Sequence, residues 1–150
     1  MHADGLPTTN SEIAALIPHK GTMCLLDSVL EATAEYIVCT TRSHARADNP
    51  LKRNHRLSAL ALCEYGAQAV AMHGGLAARA AGLPPHAGLL VALREVQFEA
   101  QDIEPTGTLE VRAQCMQTTT TAWQYQFAVK REGQLLVSGR VTIVQRRFAV

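Results

Sequence analysis

The stretch "LSALALCEYGAQAVAMHGGLAARAA", Leu57 to Ala81, decides how the rest of the chain must fold. Nearly all of its residues are small or apolar, so the spacing predicts one long helix enclosed on most sides. Asn54 or Ser58 supplies an N-cap, and Gly82, Pro84 and Pro85 end the helix. One residue does not belong to this pattern. Glu64 places a carboxylate in the apolar run with no basic residue beside it. A carboxylate in apolar surroundings is costly unless it is neutralised, hydrogen-bonded or used in chemistry.

Around this helix the sequence alternates with period two. Cys24 to Glu31 and Glu35 to Ser43 read as two strands joined by a short turn, preceded by a short helix that starts at Asn10 or Ser11 and stops before Pro18. "TLEVRAQCM" sets Leu109, Val111, Ala113 and Cys115 on one face, and "AWQYQFAVK" does the same with Trp123, Tyr125, Phe127 and Val129. Thr118 to Thr121 fit a strand or its turn, and Gly133 marks a tight turn before "QLLVSGRVTIVQRRF". With Leu89 to Glu99, four long strands follow one helix. The expected class is α+β, a single domain over 1–150 in which an antiparallel sheet curls around the buried helix.

The 150 residues suffice for one core. The composition, 47% hydrophobic and 18% charged, describes a globular chain with apolar surface to spare, as a subunit interface requires. A net charge of +1, with basic residues clustered only in short "KR" and "RR" pairs, argues against a nucleic-acid or anionic-membrane surface. The four cysteines, Cys24, Cys39, Cys63 and Cys115, lie far apart without metal-ligand spacing, which fits free thiols in a reducing cytoplasm. "MHADGLPTTNSE" lacks a signal-peptide pattern, and Ser58 to Leu76 is too interrupted by Glu64, Gln68 and His73 for a membrane span.

Two short segments carry a family resemblance. In "IPHKGTMCLLDSVLE", Pro18, His19, Leu25, Leu26, Asp27, Val29, Leu30 and Glu31 match the opening of the 3-hydroxyacyl-acyl-carrier-protein dehydratases. In "EYGAQ", Glu64, Ala67 and Gln68 match that family's Glu-x-x-Ala-Gln helix motif. The chain most resembles a divergent branch of predicted dehydratases found with aryl-polyene-type biosynthesis clusters, including over "GLLVALREVQFEAQDIEPTGTLEV". The resemblance implies a hotdog fold, a cytoplasmic protein, and active sites built across a two-fold interface, in a homodimer or with a heteromeric hotdog partner. It implies an acyl thioester substrate, on acyl-carrier protein more than on coenzyme A. No cofactor or metal is implied, because the phosphopantetheine arm arrives with the substrate.

The chain departs from the family at the catalytic histidine, whose position is taken by Pro50, and at the Pro-Gly that opens the helix, here Ser58-Ala59. A second pattern overlaps the first. Asn49, His55 and Glu64 have the spacing of an amide, a histidine and a carboxylate in one branch of hotdog acyl-thioesterases, although the following His-Gly-Gly is absent. Dehydration needs a base for the α-proton and an acid for the departing hydroxyl. Thioester hydrolysis needs a carboxylate to attack or activate water, and an N–H to hold the oxyanion. The candidate catalytic residues are therefore Glu64, His55 and Asn49, with Ser58, Ala59, Gln68 and His19 as candidate substrate-binding residues. Three functions stay open: dehydratase, thioesterase, and a non-catalytic hotdog subunit paired with an active one. His44, His73 and His86 read as structural or surface residues, and Trp123, Tyr125 and Phe127 as core.

Overall fold

In the computed structural model, which describes residues 5–84 and 88–145, the long helix starts with a 3₁₀ turn, Ala59–Ala61, and continues as α2, Leu62–Ala80. Ser58 is the cap, its hydroxyl accepting from Leu60 N at 3.2 Å. Asn54 instead takes a left-handed backbone (φ 54°) in the preceding turn. The short amino-terminal helix α1 spans Asn10–Ala14 and is capped by Thr9.

Six strands form one antiparallel sheet: β1 Ser28–Ala32, β2 Tyr36–Thr41, β3 Gly88–Phe98, β4 Leu109–Thr118, β5 Ala122–Arg131 and β6 Gln134–Gln145. Their spatial order is β1-β2-β4-β5-β6-β3. The period-two faces hold: Leu109, Val111 and Ala113 on β4 and Tyr125, Phe127 and Val129 on β5 are buried. The β5–β6 hairpin turns on Glu132 (φ 51°) and Gly133 (φ 78°), two left-handed residues whose twist matches that of the strands. Thr118 ends β4, so the threonine run serves as both strand and turn. The expected "RRF" and His86 lie outside the described residues.

The sheet wraps one side of α2, which makes the architecture the hotdog fold. Tyr65, Ala69, Met72 and Leu76 are buried against Ile37, Val111, Phe127 and their neighbours. All four cysteines are free, and burial pushes the Cys39 thiol up to about 12.

The two sheet edges differ. β1 is short, and the segment before α1 crosses it, with Val29 N donating to Pro7 O at 2.8 Å. β3 is eleven residues long and pairs only with β6 among the described strands. Leu89, Leu90, Val91, Leu93 and Phe98 along it are 39–53% exposed. Apolar side chains are thus exposed on both faces of that strand.

Candidate active site

Along α2 the residues Glu64, Ala67, Ala71 and Gly74 are only partly buried, while those between them are mostly sealed in the core. This stripe forms one wall of a cavity of about 440 Å³. Trp123 and Tyr125 of β5, Cys115 and Thr118 of β4, and Ile143 and Leu90 form the facing walls, while Pro18 and His19 lie near Glu64. From Glu64 to Ala77, at the end of the stripe, an α-helix rises about 20 Å. The cavity is therefore long, mostly apolar and furnished with a carboxylate.

Glu64 reaches that position because α2 is anchored by the residue one turn further on. Gln68 is fully buried; its Oε1 accepts from Leu25 N at 2.9 Å and its Nε2 donates to Met23 O at 2.6 Å. These bonds tie the segment before β1 to the helix, bringing His19 over Glu64. His19 Nε2 and Glu64 Oε1 are 3.2 Å apart, with the side chains 25% and 31% exposed. Gln68 Nε2 also makes a long 3.5 Å contact with the same oxygen. Two residues expected at the substrate, His19 and Gln68, thus converge on the expected catalytic carboxylate.

Asn49 and His55 are placed elsewhere in this chain. Asn49 is buried, its amide donating to Ser43 O and Tyr65 Oη at 3.0 Å each, while its Oδ1 accepts from Leu51 N at 2.9 Å. Ser43 Oγ completes the cluster at 2.8 Å from Tyr65 Oη. Burial raises the Tyr65 pKa, opposed by the bonds from Ser43 and Asn49. His55 is exposed on a two-residue turn closed by reciprocal Arg53–Arg56 backbone bonds of 2.9 and 3.0 Å. Neither residue lines the cavity that Glu64 lines. Chain spacing grouped the three; the fold of a single chain separates them.

Ser58 and Ala59 also have local duties. Ala59 N donates to Gln101 O at 2.7 Å, Leu60 N to Ser58 Oγ, and Ala61 N to Ser58 O at 3.0 Å. The N–H groups of Ala59, Leu60 and Ala61, at the amino end of the helix, therefore already have partners within the chain.

Two residues read above as structural or core, His73 and Tyr125, form a polar pair in the cavity wall. His73 Nε2 lies 2.7 Å from Thr33 O, which can only accept, so the ring carries its proton there and Nδ1 accepts from Tyr125 Oη at 2.6 Å. Desolvation lowers the His73 pKa, against the raising effect of the Thr33 bond, and burial raises that of Tyr125. The available signal was the helical period: His73 lies three residues after Val70 and four before Ala77, both of which line the cavity. His44 is likewise buried, with Nε2 2.8 Å from Thr106 O, and burial lowers its pKa.

Comparison with known proteins agrees with this fold. The dehydratase heterocomplex ApeI:P from Xenorhabdus doucetiae is similar at 18% identity and a TM-score of 0.82, covering 90% of this chain and 91% of the other. AziG from S. sahachiroi follows at 17% identity and 0.64, covering 89% and 99%. Zebra fish thioesterase superfamily member 2 reaches 15% identity and 0.64, covering 91% and 94%. These likenesses establish the fold. No curated protein matches the sequence. The family described as ApeP dehydratase (ApeP-like) matches residues 11–149, nearly the entire chain, and the protein therefore belongs to the ApeP-like dehydratases.

Proposed function

We propose that this dehydratase-like hotdog protein removes water from 3-hydroxyacyl thioesters delivered on an acyl-carrier protein, with Glu64 as its reacting carboxyl group. The observation that carries this reading is the placement of Glu64 on the wall of a long apolar cavity, between α2 and the sheet. An acyl chain fits such a channel by burying apolar surface, which leaves its thioester end for polar groups. At Glu64 the carboxylate takes the α-proton, the electron pair forms the carbon–carbon double bond, and the bond from Cβ to the hydroxyl breaks. The hydroxyl leaves as water once it receives a proton. When both groups depart from one face, Glu64 itself can return that proton.

The working assembly contains a second hotdog chain, either another copy or a different subunit. Two observations support this: β3 presents an unpaired apolar edge, and a similar solved dehydratase is a heterocomplex. A partner's loop residues then add to the Glu64 site, as the family resemblance implies for a chain with Pro50 in place of the histidine. The same partner can bring this chain's own His55 to a neighbouring site.

The test incubates the protein, alone and with a hotdog partner, with a 3-hydroxyacyl-carrier protein and separately with a saturated acyl thioester. Loss of one water from the first substrate is the expected result. Release of free thiol from the second would favour a thioesterase, a reading encouraged by the likeness to the zebra fish protein. Inactivity alone and in mixtures would leave a non-catalytic subunit.

A further inference from the structure

Among the described histidines only His19 meets the carboxylate of the cavity, and its ring is unevenly served. Nε2 faces Glu64 Oε1 at 3.2 Å. Nδ1 is buried and meets no hydrogen-bond partner among the described residues. His44 shares the unpartnered Nδ1, but its Nε2, like that of His73, meets a main-chain carbonyl instead of a carboxylate, and His55 stands off the cavity.

This asymmetry settles the ring's proton. A buried N–H without an acceptor is a costly loss, whereas a buried lone pair without a donor is tolerated more readily. Protonation at Nδ1, alone or together with Nε2, would create that orphaned N–H. The remaining form carries its single proton on Nε2, where the carboxyl oxygen of Glu64 accepts it. Nε2 is then occupied as a donor, and Nδ1 is sealed from any ligand. His19 has no exposed lone pair with which to remove a substrate proton.

We infer that His19 is a positioning residue: a fixed donor that holds Glu64 Oε1 and leaves Oε2 as the reacting atom of the site. Gln68 supports it from the helix side through its longer contact with the same oxygen, while Oε2 has no protein partner among the described residues. The expected substrate-binding histidine thus acts through the carboxylate. This inference rests on the dehydratase reading for its kinetic consequence only.

Two measurements test it. Nitrogen chemical shifts of protein labelled at histidine report the tautomer of His19 without any reaction. Protonated Nε2 with bare Nδ1 at neutral pH is expected, and either protonated Nδ1 or a doubly protonated ring would overturn the inference. The second measurement compares His19→Gln with His19→Leu on the assembled protein, using the thioester the wild type turns over. Glutamine carries its amide N–H close to where Nε2 lies, so it should retain turnover within about tenfold, while leucine should lose roughly 100-fold. Equal loss in both variants would make His19 an acid–base group and overturn the inference. Absence of dehydration in the wild type would count against the proposed function, and the tautomer would still decide the role of His19.

Discussion

The two long faces of α2 share a backbone and almost a composition, yet one is closed and the other open. On the closed sides, the sheet comes so near that a Cβ on Gly66 would lie 2.4 Å from Phe127 Cδ2, and the turn after α1 comes as near at Gly75, where a Cβ would lie 2.5 Å from Leu16 O. On the open face, a Cβ on Gly74 would meet nothing within 4 Å. Small residues serve opposite ends on the two sides. At Gly66 and Gly75 they let other parts of the chain approach; at Ala67, Ala71 and Gly74 they hold a cavity open. Helical periodicity assigns residues to a face, but what stands opposite decides whether smallness means contact or space.

The sharpest way to separate the faces is Glu64→Gln. It keeps the shape and the hydrogen-bonding capacity of the side chain but removes the carboxylate. Turnover should fall by about 100- to 10,000-fold, with thermal stability unchanged or slightly higher. A destabilised variant with intact turnover per folded molecule would make Glu64 a structural tie.

Gly66→Ala should give the reverse pattern. The added methyl group collides with the Phe127 ring, and such overpacking costs about 1–3 kcal/mol. Chemical denaturation reads that loss directly, and the molecules that remain folded should keep their turnover. A neutral result would mean that the closed face can relax.

His73 lies at the junction of the two faces, and acid tests it. Its pKa is lowered in the fold by desolvation, as is that of His44. Below the ordinary histidine pKa of about 6.5 the unfolded chain binds more protons than the folded one. Stability should therefore be complete above that pH and decline as pH falls through 6.5 toward the lower folded values. Denaturation midpoints measured from pH 7.5 down to 5.5 check the sign. A midpoint flat across that range would deny the two histidines this role.

The smallest effect is expected from Gly74→Ala. With open space at the Cβ position, only the helix preference of alanine should register, a gain of about 0.5–1 kcal/mol. The same variant should weaken binding of the bulkiest acyl chains, which a KM series over chain length would detect.

Much of the fold was legible because it follows from periods. Alternation on β4 and β5, the glycine turn before β6 and the small-residue run of α2 each describe local geometry, and the structure keeps them. Glu64 was legible for a similar reason, as one charge in an apolar run. Asn49 and His19 were harder, since their partners depend on distant segments. The Asn49 amide is consumed by Tyr65 and Ser43, and nothing in an Asn-Pro turn announces a buried tyrosine hydroxyl beneath it. His19 meets Glu64 because Gln68 draws residues 23–25 onto the helix, a contact spanning more than forty positions. The strand β3 was read correctly as a strand, but alternation cannot say that apolar side chains are exposed on both of its faces.

With the proposed partner on β3, which meets no described strand but β6, mass action would enter the protein's stability. If folding and association are linked through β3, the melting temperature depends on how much partner is present as well as on the chain's own core. Dilution would lower it, and a well-matched partner would raise it without any change in sequence. Synthesis in excess of the partner would leave an apolar ladder free to pair with whatever strand it meets. For such a chain, the relative dose of two subunits acts as a determinant of folding yield.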